Sequence, residues 1–309
     1  MQDGGATPAR DAARCIALAS TIGLPLQVHE TDRFLVLSAP NSASATTIER
    51  ILDQVCLRFY EQFDKAGFKP RTLPDKLVWV CFDSYDAFEA YGRKADGAEV
   101  SWMDAYYSHR TNRVAMTIAG VRPSANVQQH RSGSSGYLAA SGDPGAGHAA
   151  SDTLNVRTIT HELTHQLAFN SGLQRRGAAY PFWLTEGLAT NFEADGADGV
   201  ALGREDSRHR QRLIGAKRGG NLIAMEEFVG MTQCPAGQGA ATREAYAQAW
   251  GFFRYLLETR PAAFRKYLAE LSSPMLPQQT SASLRSRFVA IMGPIKPLEE
   301  GFLRFIDKP

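Results

Sequence analysis

Apolar and polar positions along the chain alternate with two different periods. Asp32–Pro40 and Lys76–Phe82 are short apolar runs bounded by polar or turn-forming residues. They predict two strands, the second buried. Between them, Ile48, Ile51, Leu52, Val55, Leu57, Phe59 and Phe63 fall mostly on one broad side of a helix running to about Phe68. Ser42 or Ser44 can cap that helix. Asp83–Tyr91 reads as a capped helix ending near Gly92, and residues 11–22 suit a short helix. Residues 1–10 are small and polar and predict no element. The order strand, helix, strand, helix indicates an α/β layer.

The pattern then changes. Trp102–His109 and Arg113–Ile118 read as a β-hairpin turning at Thr111-Asn112. Residues 131–150 are rich in Gly, Ser and Ala and predict a flexible loop. His130 and His148 flank it without metal-ligand spacing to a partner. Beyond residue 196 the periodicity is helical. Residues 241–257 and 261–271 are amphipathic, and 281–292 and 296–307 add two further helical segments. Pro235–Ala240 reads as a second flexible loop. The chain divides into an N-terminal segment (1–30), an α/β lobe (31–172) and a helical lobe (173–309).

The chain has 309 residues, 44% hydrophobic and 21% charged, which is ordinary for a globular protein with a sizeable core. A net charge of +2 is too weak to argue for nucleic acid. Arg204–Lys217 is locally basic, but Glu205 and Asp206 interrupt it, so it reads as a solvated helix face. No apolar run is long enough for a transmembrane helix. The first residues lack the basic start and apolar stretch of a signal peptide. The four cysteines, Cys15, Cys56, Cys81 and Cys234, form no C-x-x-C. They allow disulfides without requiring them, and Cys81 reads as a buried small hydrophobe.

The candidate chemistry lies between residues 151 and 196. Ser151 or Asp152 can cap a helix that contains His161-Glu-Leu-Thr-His165 and stops near Gly172. Residues four apart on a helix lie one turn above the other, so His161 and His165 can aim their imidazoles at one point. Glu162 sits beside that point. This suits a zinc ion with a carboxylate placed to deprotonate water. A catalytic zinc usually takes a third protein ligand. The metzincin continuation is ruled out, because Ala168 and Ser171 stand where its glycine and third histidine belong. Glu186 is the better candidate. It lies in Trp183-Leu-Thr-Glu-Gly-Leu-Ala189, a helical stretch that Pro181 is placed to begin.

The pair H-E-L-T-H and W-L-T-E-G-L-A resembles the gluzincins, zinc metallopeptidases of the peptidase MA type. The specific likeness covers about residues 151–196. It implies an α+β, zincin-like fold: an α/β lobe with a small mixed sheet and an antiparallel edge strand, a metal-binding helix, and a mostly helical C-terminal lobe. It implies Zn2+ held by His161, His165 and Glu186, with Glu162 as general base. One strand of 103–118 would border the cleft and pair with an extended peptide or protein substrate. His109 reads as a surface residue near the turn. Related enzymes supply a tyrosine or histidine from a downstream helix to the oxyanion. Tyr246 is the candidate here, with Tyr255 and His209 as alternatives.

Some gluzincins place an aspartate four residues after the third ligand, where this chain has Thr190. Metal-bound histidines usually donate their other ring N–H to an acceptor. Glu193, two turns after Glu186, is the nearest acidic alternative for that role, with a solvated end-of-helix side chain as the preferred reading. The Gly-Ala-Met-Glu-Asn type of motif is absent, which favours an endopeptidase over an aminopeptidase. The resemblance also implies an exported enzyme. Two other readings stay open: a zinc-binding scaffold without turnover, and a zinc amidase acting on a cell-wall or other non-protein amide. The intact Glu162 argues against the scaffold.

Overall fold

A computed structural model describes residues 8–40, 44–101, 103–118, 138–141, 155–193, 202–203, 205–235, 239–276 and 279–308. The fold is α+β, with a mixed sheet followed by a helical lobe. The first part runs α1 (Pro8–Thr21), β1 (Gln27–Glu30), β2 (Phe34–Ser38), α2 (Ser44–Lys65), β3 (Leu77–Phe82), α3 (Tyr85–Tyr91), β4 (Ala105–Ser108), β5 (Arg113–Thr117) and β6 (Leu138–Ser141). Then come α4 (Val156–Asn170), α5 (Phe182–Thr190), α6 (Ser207–Gly219), α7 (Met225–Phe228), α8 (Ala240–Thr259), α9 (Pro261–Leu271), α10 (Ser281–Met292) and α11 (Ile295–Ile306). No described helix is long and apolar enough to cross a membrane.

The strand order is β1-β2-β3-β5-β4-β6. The centre, β2, β3 and β5, is parallel, and β1, β4 and β6 join antiparallel. The short apolar run in β3 has a simple cause. Successive side chains point to opposite faces of a strand, and here both faces are covered. Leu77, Trp79 and Cys81 face the core beneath α2 and α4. Val78, Val80 and Phe82 face a second core containing Cys15 of α1 and Phe88 and Tyr91 of α3.

Both strands read from the apolar runs are present, and so are the helices read at 42–68, 83–91, 241–257, 261–271, 281–292 and 296–307, to within a few residues. The α-helix of α3 stops at Tyr91, and one π-helical turn, Gly92–Asp96, follows it. A Cβ at Gly92 would stand 2.7 Å from a methyl of Val100, so glycine is what allows the chain to pass there.

Two expectations need correction. The hairpin is present and turns through Asn112 in a left-handed conformation (φ 56°). It does not form the sheet edge, because β6 pairs along the outer side of β4, with Tyr106 opposite Ala140. β6 comes from the Gly/Ser-rich stretch read as a loop. Leu138-Ala-Ala-Ser141 has no strand composition of its own, and pairing with β4 imposes the extended form. The rest of 131–150, together with Ser42, His130, His148, Ser151, Asp152 and residues 236–238, lies outside the described residues.

One contiguous core joins the sheet to the helical lobe. It runs from Phe59 and Phe63 of α2 through Leu163 and Leu167 of α4 to Trp183 of α5, Phe252 of α8, Tyr267 of α9 and Phe288 of α10. Trp183 stacks on Tyr267, and Phe192 after α5 packs edge-on against Phe59. The four cysteines are free thiols, and Cys81 is buried in this core.

Candidate metal centre

The helix that carries H-E-L-T-H begins at Asn155, not at Ser151 or Asp152. The Asn155 side chain accepts a hydrogen bond from the backbone N–H of Thr158, the usual way of satisfying a free N-terminal amide. From Thr158 to Phe169 every residue of α4 is buried, so this is a core helix rather than a one-sided one. Gln166 anchors it to the sheet. Its Oε1 accepts from the Trp79 indole at 2.8 Å, and its Nε2 donates to the carbonyls of Val78 and Asn112 at 3.3 and 3.1 Å. Past the C-cap Ser171, Gly172 adopts φ 79°, which ends the helix as the sequence predicts.

The following loop returns the chain to Pro181, the N-cap of α5, and Phe182 donates its amide to the Met231 carbonyl at 2.6 Å. Glu186 is thereby brought against α4. His161 Nε2 and His165 Nε2 are 3.1 Å apart, and they lie 3.3 and 3.6 Å from Glu186 Oε2. All three side chains are buried. They form the one group among the described residues that could hold a metal ion.

The distances decide whether such a group fits. A tetrahedral ion bound at about 2.0–2.2 Å separates its ligand atoms by roughly 3.3–3.6 Å, since a tetrahedron's edge is 1.63 times its radius. The triangle has that size. Glu186 Oε2 is also a buried oxygen without a hydrogen bond in good geometry, which a cation would satisfy.

The charges agree. Burial alone would raise the Glu186 pKa, but the neighbouring imidazoles of His165 and His161 outweigh it and hold the carboxyl at about 2. Burial alone would lower that of His161, but Glu186 and Glu193 pull the other way and raise it to about 10. The pocket therefore favours a positive charge between its carboxylates.

Glu193 is not the solvated residue that its position after α5 predicts. It is buried and bonds to Nδ1 of His161 at 2.7 Å. Arg157, one turn before His161, donates to its other oxygen at 2.6 Å. Its spacing marks it as the nearest acidic alternative for a histidine partner, and the fold-back of the chain after Thr190 is what brings it to His161. Thr190 turns inward on its own helix, donating to the Glu186 carbonyl.

Among the candidates for an oxyanion donor, Tyr246 of α8 is near enough to feel the charges of Glu186, Glu162 and Glu193. Burial first, and then the charges of Glu186, Cys234, Glu162 and Glu193, push its pKa well up and keep its hydroxyl protonated. Its ring meets Phe182 edge-on at 5.3 Å. Tyr255 is directed elsewhere, packing on Phe302 and Phe305 of α11. His209 stacks on Trp250 and stands 3.7 Å from Glu193, one layer behind the triad. His109 is half-buried rather than a surface residue. It packs against Phe169 of α4 at 4.3 Å, and burial together with the nearby His165 lowers its pKa to about 4.

Residues 155–276 match a family described as "Protein of unknown function (DUF1570)". The match opens at the Asn155 cap and runs past α9, so both helices of the triad lie inside it. A comparison with curated proteins finds no relative of this chain.

Proposed function

We propose that the protein is a zinc-dependent peptidase of the gluzincin type, most simply an endopeptidase, in which His161, His165 and Glu186 hold the metal. The reading is carried by one observation: two imidazole nitrogens and a carboxylate oxygen, drawn from two helices, lie 3.1–3.6 Å apart in a buried pocket. Two nitrogens and one oxygen at this spacing suit zinc, whereas calcium and magnesium take oxygen ligands.

When bound, zinc supplies Lewis acidity toward a carbonyl oxygen and toward water. Glu162, buried next to His161 in α4, takes a proton from the attacking water and passes it to the leaving amine. Tyr246 keeps its proton at neutral pH and donates a hydrogen bond to the oxyanion that develops at the scissile carbonyl. Its neighbouring carboxylates disfavour a phenolate, which suits a donor. The exported location implied by the resemblance belongs to the same proposal.

Elemental analysis of purified wild type, Glu186→Ala and Glu162→Gln, alongside digestion of a mixed peptide library, tests this. The expected result is zinc bound by wild type and by Glu162→Gln, weakened in Glu186→Ala, with cleavage only by wild type. Zinc without peptide cleavage would move the reading to a scaffold or to a non-protein amide. A folded wild type that takes up no zinc would sink it.

A further inference from the structure

The two histidines of the triad are held in different ways. Nδ1 of His165 is buried with no hydrogen-bond partner among the described residues, so only packing surrounds that side of the ring. Nδ1 of His161 faces Glu193 Oε1 at 2.7 Å. Glu193 is itself held. Its Oε2 accepts from Arg157 Nη1 at 2.6 Å, and Arg157 Nη2 pairs with Asp206 Oδ2 at 2.7 Å. Asp206 in turn caps α6, accepting from the backbone amides of Arg208 and His209. His209 Nε2 lies 3.7 Å from the Glu193 oxygen that Arg157 holds. The chain of contacts runs from the start of α6 through the first turn of α4 to one ring nitrogen of His161.

We propose that Glu193 is the positioning residue of the metal centre, orienting His161 from behind, with Arg157 and Asp206 fixing its carboxylate. The chemistry follows from the imidazole. A ring that donates Nδ1–H to a carboxylate has its lone pair on Nε2, and Nε2 is the atom that faces Glu186 and His165. The same hydrogen bond sets the plane of the ring and makes Nε2 a better donor to a cation. Arg157 gives the buried carboxylate a counter-charge, and Asp206 keeps the guanidinium in place. The residue reaches His161 because the chain returns toward α4 after α5 ends. A position four residues after Glu186 is occupied by Thr190, which is engaged with its own helix.

The proposal rests on His161 being a metal ligand and does not depend on which bond the protein cleaves. It is tested by metal affinity rather than by turnover. Zinc affinity is measured by chelator competition, and the cobalt(II) absorption spectrum is recorded, for wild type, Glu193→Gln and Glu193→Asp. Unfolding of each in excess chelator reports folding alone. Gln keeps an acceptor but loses the charge, while Asp keeps the charge and retreats from His161. The expected result is a zinc Kd raised about tenfold to a hundredfold in both variants, with an altered cobalt spectrum. Unfolding in chelator should change far less than the affinity. Should Glu193→Gln fail to fold, Glu193→Asp decides by the same comparison. A folded variant with wild-type affinity and an unchanged cobalt spectrum overturns the proposal while leaving the metal site intact. Wild type that binds neither metal overturns the site itself, and no Glu193 variant is then needed to see it.

Discussion

A Cβ placed on Gly187 would stand 2.7 Å from the carbonyl oxygen of Ala249 and 2.8 Å from Cβ of Phe253. The residue after Glu186 must therefore be glycine for α5 to lie as close to α8 as it does. That approach sets where α5, and with it Glu186, sits against the helix that carries Tyr246. Gly187→Ala forces the helices apart and should destabilise the fold by about 1–3 kcal/mol. It should also weaken metal binding. Gly215, inside α6, has nothing within 4 Å of its Cβ position, so Gly215→Ala should leave metal binding alone and stabilise by roughly 0.5–1 kcal/mol. Thermal unfolding and zinc titration of the two variants check the contrast. Equal effects would show that the close approach at Gly187 does not matter.

Metal should act as a ligand of the folded state only. Zinc held at a hundred times its Kd raises stability by about 2.7 kcal/mol. Chelation should lower the unfolding temperature of wild type correspondingly, and Glu186→Ala should barely respond. Calorimetry with and without chelator gives the answer. A wild type indifferent to chelation would contradict a site built from a buried nitrogen–oxygen triangle.

Tyr246→Phe separates binding from chemistry. The ring contact with Phe182 is kept and only the hydroxyl is lost. Zinc content should be unchanged, while kcat on any cleaved peptide falls about a hundredfold to a thousandfold, the usual effect of removing one oxyanion donor. Undiminished turnover would assign the donor elsewhere.

His109 gives the protein an acid-sensitive element. Burial and then the neighbouring His165 lower its pKa from 6.5 to about 4 in the folded chain. The unfolded state binds the proton more readily, so stability is complete above the unfolded pKa and is lost as pH falls from 6.5 toward 4. Below that range the loss is complete, at most about 3–4 kcal/mol. His109→Phe keeps an aromatic ring on Phe169 without the titrating nitrogen. Urea unfolding in chelator should show wild type losing more stability than the variant across that window. Parallel curves for the two proteins would refute the assignment.

How much of this was legible beforehand depends on the distance over which each feature is encoded. The pair His161 and His165 could be read directly, because four residues on an α-helix fix two side chains on one face. Leu77–Phe82 could be read as a buried strand because its apolar run needs no partner to be recognised. The cap is not fixed by residue type, because Ser151, Asp152 and Asn155 are all good capping residues. The choice went to Asn155, whose side chain meets the Thr158 amide. Leu138–Ser141 looked like a loop because four small residues carry no strand signal until β4 offers them hydrogen bonds.

The sequence by itself determined the α/β-then-helical order, the two histidines, their neighbouring glutamate and, through the spacing of a second motif, the acid that faces them. These are local facts, written within a helical turn or a short apolar run. Only the tertiary structure decided that Glu193 meets His161, that Arg157 and Asp206 secure it, that His109 is packed on Phe169 and that β4 is interior. Each of those depends on chain reversals that bring distant residues to within a hydrogen bond or a ring contact. No period along the chain records such a meeting, because it is set by how whole elements pack and not by the residues between them.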